Sequence, residues 1–330
     1  MIGNSMLYLS IIVPLYNSAK YLPKCLDSLV TQDIPLDSYE IILVNDGSPD
    51  NSLQIAKQYA NTYPNILVLT QENKGTSGAR NTGIRHASGK YLYFVDPDDY
   101  ILENSLSAAL KKMEDESLDV LRFGYMEVDE NYAPTQSGKH AVHIDYSSAI
   151  MDGYSFMASR LGTSCFVWTY IFKTSPIKDN GILFIEGDYF DDTPWLPRVM
   201  AKARRVNSMD YIRHYYLIRS DSLVQSKSEN AIKQKINGLY FVINELIRQK
   251  GVTTNENGIK WYDMMISVSV VTLLTLVGKY EYNNRKEYIN KLKKFDIFPI
   301  SRFRFTGRNL IKVTIINISP FLFCNIVNLH

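Results

Sequence analysis

Short apolar runs alternate with amphipathic stretches through the first hundred residues. Ser10-Ile11-Ile12-Val13-Pro14 is short and continuous, the pattern of a strand buried on both faces, and its proline predicts the end of the strand. Asn17 or Ser18 then offers a helix cap, and Tyr21, Leu22, Cys25, Leu26 and Leu29 share one helical stripe. Residues 40–45 read as a second buried strand, closed by the turn Asp46-Gly47-Ser48 and followed by a helix over about 51–63. Residues 65–69 give a third strand, 72–75 a loop, and Ala79, Ile84 and Ala87 the inner side of another helix. A fourth run, Tyr91-Leu92-Tyr93-Phe94-Val95, stops abruptly at Asp96-Pro97-Asp98-Asp99. This β-α alternation predicts an α/β fold: a mostly parallel, Rossmann-like sheet flanked by helices, whose right-handed crossovers bring the strand ends to one edge.

That edge collects Asn17, Asp46, Asn73, Arg80 and the carboxylates of 96–99, where open α/β sheets bind ligands. Each residue alone has a plain structural reading, as a turn, a cap or a solvated helix position. Their recurrence at every strand end is harder to explain that way. The G-x-G-x-x-G fingerprint and the Walker loop are both missing, since Gly75-Thr76-Ser77-Gly78 lacks the spacing. A nucleotide diphosphate would need another counter-charge, such as a divalent cation held by carboxylates.

Beyond residue 123 the pattern is less regular. Trp168, Tyr170 and Phe172 alternate as in a strand, and serve either as core or as a platform for sugar rings. The stretch 181–192 ends in a second acidic group, Asp191-Asp192, just before Trp195-Leu196-Pro197, and a helix is expected to begin there. From about residue 230 onward the chain reads as helical. Residues 264–277 are strongly apolar but shorter than the roughly 20 a membrane span needs, so a buried helix is expected. In 302–330, Arg302, Arg304, Arg308 and Lys312 lead into an apolar run interrupted by Pro320. The segment suits either an anionic membrane surface or a packed appendage.

With 330 residues there is room for one large domain with an appendage. A net charge of +2 argues against a partner recognised through phosphate neutralisation, so no nucleic acid is expected. Three scattered cysteines give neither a disulfide framework nor zinc spacing, which suits a reducing compartment. The first apolar run lacks a basic flank and a small-residue cleavage site, and reads as a strand rather than a signal peptide.

Five ordered motifs over about a hundred residues carry a resemblance. They are Ser10-Ile11-Ile12-Val13-Pro14-Leu15-Tyr16-Asn17, Val44-Asn45-Asp46-Gly47-Ser48, Asn73-Lys74-Gly75, Gly78-Ala79-Arg80-Asn81-Thr82-Gly83 and Asp96-Pro97-Asp98-Asp99. Together they resemble the inverting family 2 glycosyltransferases with the A-type nucleotide-diphospho-sugar transferase fold. The resemblance implies a catalytic domain over 1–228, with a nucleotide-sugar half to about 123 and an acceptor half over 124–228, then a helical region over 229–330. It implies donor contacts from Pro14, Tyr16, Asn17, Asp46, Asn73, Lys74, Arg80 and Asp96, with Asp46 on the base. Asp96, Asp98 and Asp99 would form the D-x-D motif that holds Mn²⁺ or Mg²⁺ and the diphosphate. Arg219, in an Arg-x-x-Ser segment, would close over that diphosphate. The acidic pair supplies the base, Asp192, with Asp191 where the family usually has glutamate; Pro97 is a second departure, standing where serine or alanine is commoner.

The implied activity is metal-dependent transfer of a UDP-linked sugar to a saccharide or lipid-linked saccharide acceptor, in bacterial surface-polysaccharide assembly. The expected location is the cytoplasm, either free or at the inner face of the cell membrane. Two other classes stay open on the residues: a non-catalytic sugar-nucleotide binding protein, and a nucleotidyltransferase that makes nucleotide sugars.

Overall fold

The computed structural model describes residues 7–135, 149–187, 190–219 and 228–329. The chain divides into two units: one comprises 1–156, 165–187 and 195–219, the other 157–164, 188–194 and 220–330. Residues 157–164 and 188–194 thus group with the C-terminal helices rather than with the chain on either side of them.

In chain order the elements are β1 (Leu9–Leu15), α1 (Leu22–Val30), β2 (Tyr39–Asp46), α2 (Ser52–Thr62), β3 (Ile66–Gln71), α3 (Gly75–His86), β4 (Tyr91–Phe94), β5 (Tyr100–Ile101), α4 (Leu106–Asp115), β6 (Val120–Val128), α5 (Gly153–Phe156), β7 (Tyr170–Lys173), α6 (Thr174–Asp179), α7 (Asp192–Met200) and β8 (Val206–Leu217). The helices α8 (Glu229–Gly251), α9 (Glu256–Tyr280), α10 (Arg285–Lys293), α11 (Gly307–Ile318) and α12 (Pro320–Asn328) follow.

In the first unit the eight strands form one sheet in the order β3-β2-β1-β4-β7-β6-β8-β5. The first four strands are parallel. β7 runs against both β4 and β6, and β8 runs with β6. The carboxyl ends of β1, β2, β3, β4 and β8 therefore share one edge, so the predicted architecture is the observed one. β1 and β4 are buried at every position, as continuous apolar runs require.

Pro14 does not end β1. It lies inside the strand, opposite Val44 of β2. Val95 donates its N–H to the Ile12 carbonyl at 3.1 Å, so Ile12 and, two residues on, Pro14 face the β4 side. β4 has ended by then, its last pairing with β1 being Ile12 with Phe94, and the missing proline N–H leaves no ladder bond unmade. The cap expected at Asn17 or Ser18 is also not formed: α1 begins at Leu22 with Tyr21 before it and no side-chain cap. Ser18 instead donates its N–H to Ser52 Oγ at 3.0 Å, tying the loop after β1 to the start of α2.

Helix α3 lies unusually close to the sheet. A Cβ on Gly83 would sit 2.3 Å from Ile12 Cγ2 and 3.2 Å from Ile12 Cβ, so a buried side chain of β1 or the helix itself would have to shift. Gly83→Ala is accordingly expected to lower unfolding stability by about 1–3 kcal/mol, the usual cost of overpacking, read from urea denaturation. The aromatic alternation resolves as core: Trp168, in a short turn before β7, and Tyr170 and Phe172 within it are all buried. The sugar-platform reading of these three residues is thus replaced by packing. Trp168 stacks on Tyr216 with centroids 5.3 Å apart, and Phe172 meets Trp195 edge-on at 5.2 Å.

In the second unit α8 and α9 are both capped. Ser228 Oγ accepts from the Ala231 N–H and Asn255 Oδ1 from the Gly258 N–H. α9 has 25 residues and is long and apolar enough to cross a membrane, yet 72% of its apolar window is buried within the structure. Trp261, Val270, Leu273, Leu274 and Val277 form its inner side. Pro320 breaks the last apolar run by opening α12, whose cap is Ser319.

Candidate active site

The turn after β2 is held by its own aspartate. Asp46 is buried, and its Oδ1 accepts from Gln71 Nε2 at 2.7 Å and from the Lys74 N–H at 2.9 Å. Gln71 in turn accepts from Thr82 Oγ1 at 2.5 Å. One carboxylate thereby joins the end of β2, the end of β3 and the start of α3. Asn73 Oδ1 accepts from the Gly75 N–H, and the Lys74 side chain is exposed. At the end of β1, Pro14 is buried, whereas Tyr16 (53% exposed) and Asn17 face solvent, Asn17 with φ of +50°. Asn tolerates that left-handed backbone better than most residues.

The close approach of α3 places Arg80 beneath the carboxylate cluster. Arg80 is buried, donates from Nη2 to Asp96 Oδ1 at 2.9 Å, and lies 5.3 Å from the Phe184 ring centroid. At the next carboxylate, Arg219 Nε donates to Asp98 Oδ2 at 2.8 Å, while its guanidinium sits over the Tyr21 ring. The D-x-D carboxylates thus each meet an arginine, one from α3 and one from just beyond β8. The resemblance puts Arg219 over a diphosphate; here its guanidinium stands beside Asp98. Ser220 and the rest of its segment through Leu223 lie outside the described residues.

Asp99 is turned inward. It is buried, with Oδ2 2.8 Å from His214 Nε2, and with Oδ1 accepting the Leu217 N–H at 2.9 Å. His214 Nδ1 is 3.0 Å from the Tyr93 hydroxyl. Burial holds His214 down to about 3, so the imidazole is neutral. With its proton on Nε2, facing Asp99, Nδ1 accepts from Tyr93, and both ring nitrogens of His214 are matched. Burial pushes Asp99 well above the usual carboxylate range, with Asp96 adding to the rise. Asp99 therefore does not join Asp96 and Asp98 as a third outward carboxylate; its oxygens pin the strand-end loop to β8. Asp99→Ala should cost about 1–3 kcal/mol for each buried donor left unpaired, measured by urea denaturation without any divalent ion. A residue whose role was only to hold metal would show no such loss.

Among the described residues no group of three or more His, Cys, Asp or Glu has the geometry of a metal site. The chemistry of the donor set still fits a hard cation. Asp96 and Asp98 are partly exposed oxygen donors on one short loop. Burial first, and then Asp99 and Asp96, push Asp98 up to about 7 against the opposing charge of Arg219, a crowding that a cation would relieve.

Sequence reasoning missed Asn81, whose amide clamps the 184–186 segment. Asn81 Nδ2 donates to the Phe184 carbonyl at 2.9 Å and Oδ1 accepts the Phe184 N–H at 2.7 Å. It also missed Gln71, Tyr93 and His214. Asn81 lies within a quoted motif and could have been singled out; His214 carries no local signal. Asp191 stands in the turn before α7 and Asp192 is its first residue; both are partly exposed and group with the second unit. Asp188 and Tyr189, part of the same acidic stretch, lie outside the described residues.

The doubly wound sheet thus gathers the Asp46 turn and two arginine-paired aspartates at one edge. Residues 10–168 match the family model for glycosyl transferase family 2. EpsJ of Bacillus subtilis, an uncharacterized glycosyltransferase, is 33% identical over 235 residues, covering 70% of this chain and 67% of that protein. The glycosyltransferase GlyA of Streptococcus pneumoniae is 42% identical over 301 residues, 87% of this chain and 42% of GlyA. Among solved structures, residues 1–349 of Staphylococcus aureus TarS share the fold with a TM-score of 0.69 at 23% identity, over 97% of this chain and 90% of that one; TarS has also been crystallised with UDP-GlcNAc. The chain belongs to glycosyl transferase family 2. It spans about two thirds of the length of EpsJ and less than half of GlyA.

Proposed function

We propose that the protein is an inverting, metal-dependent glycosyltransferase that moves a sugar from a UDP-linked donor to an acceptor hydroxyl. The observation that carries this reading is the paired arrangement Arg80–Asp96 and Arg219–Asp98 at the sheet edge where Asp46 also lies. With a divalent cation on the two carboxylates, the two arginines would leave a net positive charge at this edge against a diphosphate whose charge rises as the sugar leaves.

In this reading Asp46, already fixed by Gln71 and Lys74, orients the base. Tyr16, Asn17, Asn73 and Lys74 edge the nucleotide. Asp96 and Asp98 would hold Mn²⁺ or Mg²⁺, which when bound supplies charge neutralisation on the departing diphosphate. Arg80 holds Asp96 in place, and Arg219 can exchange Asp98 for phosphate oxygens when the donor enters. Asp99 acts through position, by fixing the loop. Asp192 accepts the proton of the attacking hydroxyl, and attack opposite the leaving group inverts the anomeric centre. The acceptor class we assign is a saccharide or lipid-linked saccharide of a bacterial surface polymer, reached from the cytoplasmic side. The UDP-GlcNAc complex of TarS and the polymer-building names of curated relatives, such as poly(ribitol-phosphate) β-glucosyltransferase, support the donor and acceptor classes.

The test is a panel of nucleotide sugars, scored by thermal stabilisation and by metal-stimulated release of free nucleotide. A true donor at 100 times its Kd should add about 2.7 kcal/mol of stability. Stabilisation without turnover or transfer would favour a binding protein. Formation of nucleotide sugar from nucleoside triphosphate and sugar phosphate would favour a nucleotidyltransferase.

A further inference from the structure

The last two helices bound a cleft that packing leaves open. It measures about 750 Å³ between α9, α11 and α12, and its wall is made by Ile311, Ile315, Phe323, Ile326 and Val327. Thr275, at the same wall, spends its hydroxyl on the Val271 carbonyl at 2.7 Å, so the wall offers no free polar group there. Three cations, Lys279, Arg308 and Lys312, rim this apolar space. Among the described residues none of the three forms an ion pair. From residue 297 through Leu329 the chain contains no acidic residue at all.

The apolar surface continues outward in register. Ile311, Ile315 and Ile318 fall at helical spacing on α11, and Leu322, Ile326 and Leu329 at the same spacing on α12 and its C-cap. Ile318 and Leu329 are 74% and 80% exposed. A second, smaller cleft of about 370 Å³ shares Thr275 and Lys312 with the first, so α11 rests on α9 with open space along both sides.

We propose that this cleft binds an anionic membrane lipid: one acyl chain lies along the apolar wall, and the phosphate headgroup sits among Lys279, Arg308 and Lys312. A hydrocarbon chain suits a wall without hydrogen-bonding groups, whereas a protein partner would be expected to meet about one hydrogen bond per 100–200 Å². A second copy of the chain would set these same cations against each other on a shared face. Lipid answers both features at once, with apolar contact inside and charge complementarity at the rim. The exposed stripes of α11 and α12 would then lie in the headgroup layer around the bound lipid. The site is independent of the transfer reaction, and its loss would leave donor binding intact.

The experiment uses the full chain and vesicles of phosphatidylcholine, alone or mixed with phosphatidylglycerol. Flotation should show binding to the mixed vesicles only. The triple variant Lys279→Gln, Arg308→Gln, Lys312→Gln should bind them on the order of 100-fold more weakly, with unchanged helix content. Leu322→Trp should shift its emission to the blue and be quenched by brominated lipid only in mixed vesicles. Inorganic phosphate alone should give no matching thermal stabilisation. Undiminished flotation of the triple variant, no quenching of Leu322→Trp, or equal stabilisation by phosphate would each overturn the lipid site.

Discussion

Asp192→Asn should abolish sugar transfer while leaving nucleotide-sugar affinity close to that of the wild type. The amide has nearly the same shape as the carboxylate, so the helix should still begin where it does. What it cannot do is take a proton from the acceptor hydroxyl. A positioned base contributes about 10²–10⁴-fold, and the loss should fall on kcat rather than on donor affinity. Asp191 sits one residue earlier, in the turn, and Asp191→Asn should lose much less. Both variants would be assayed with one donor and one acceptor, with nucleotide binding followed separately by thermal shift. A dead Asp191→Asn beside an active Asp192→Asn would move the base by one residue. Near-wild-type turnover in both would take the catalytic role away from this turn altogether.

The sheet was legible because its inner strands are buried on both faces and must be written as unbroken apolar runs. The predicted second, third and fourth strands lie within a residue or two of β2, β3 and β4. Pro14 misled because a proline is harmless in a strand once the neighbour on its side has ended, and that depends on where β4 stops. The candidate site was legible only as a set of residues. Its pairings were not, because they join distant parts of the chain: Asp98 meets Arg219 and Asp99 meets His214 because β5, which follows them directly, pairs antiparallel with β8. Asp99 shows the cost of reading a motif by type. Three carboxylates in four residues suggest three equivalent ligands, yet burial and a histidine from β8 turn one of them into a structural clamp. The C-terminal cleft was half visible, as basic residues beside apolar ones. Only the packing of α11 against α9 and α12 collects three of those charges around one apolar space.

Asp98→Ala should remove the metal dependence of donor binding. Asp98 is partly exposed, shares its loop with Asp96, and holds Arg219 at 2.8 Å. Deleting its carboxylate takes away one of two outward oxygen donors and one partner of Arg219 at the same time. The two consequences have opposite signs and separate by condition. With Mn²⁺ present, affinity for the UDP-sugar should fall on the order of 100-fold, at least the loss expected when a supporting group of a metal site is removed. Without metal, affinity should hold or rise slightly, since the variant has one negative charge fewer beside the diphosphate. Arg219→Gln provides the converse: it should weaken metal-free UDP binding while keeping the stimulation by Mn²⁺. Asp99→Ala, by contrast, should lose folding stability under every condition, so a drop in donor affinity caused by a loosened loop can be recognised from the unfolding curve. Isothermal titration of UDP with and without Mn²⁺ reads all three variants on one scale. An Asp98→Ala protein that binds UDP as the wild type does, with the same response to Mn²⁺, would remove Asp98 from the metal site and leave Arg219 as the diphosphate's counter-charge.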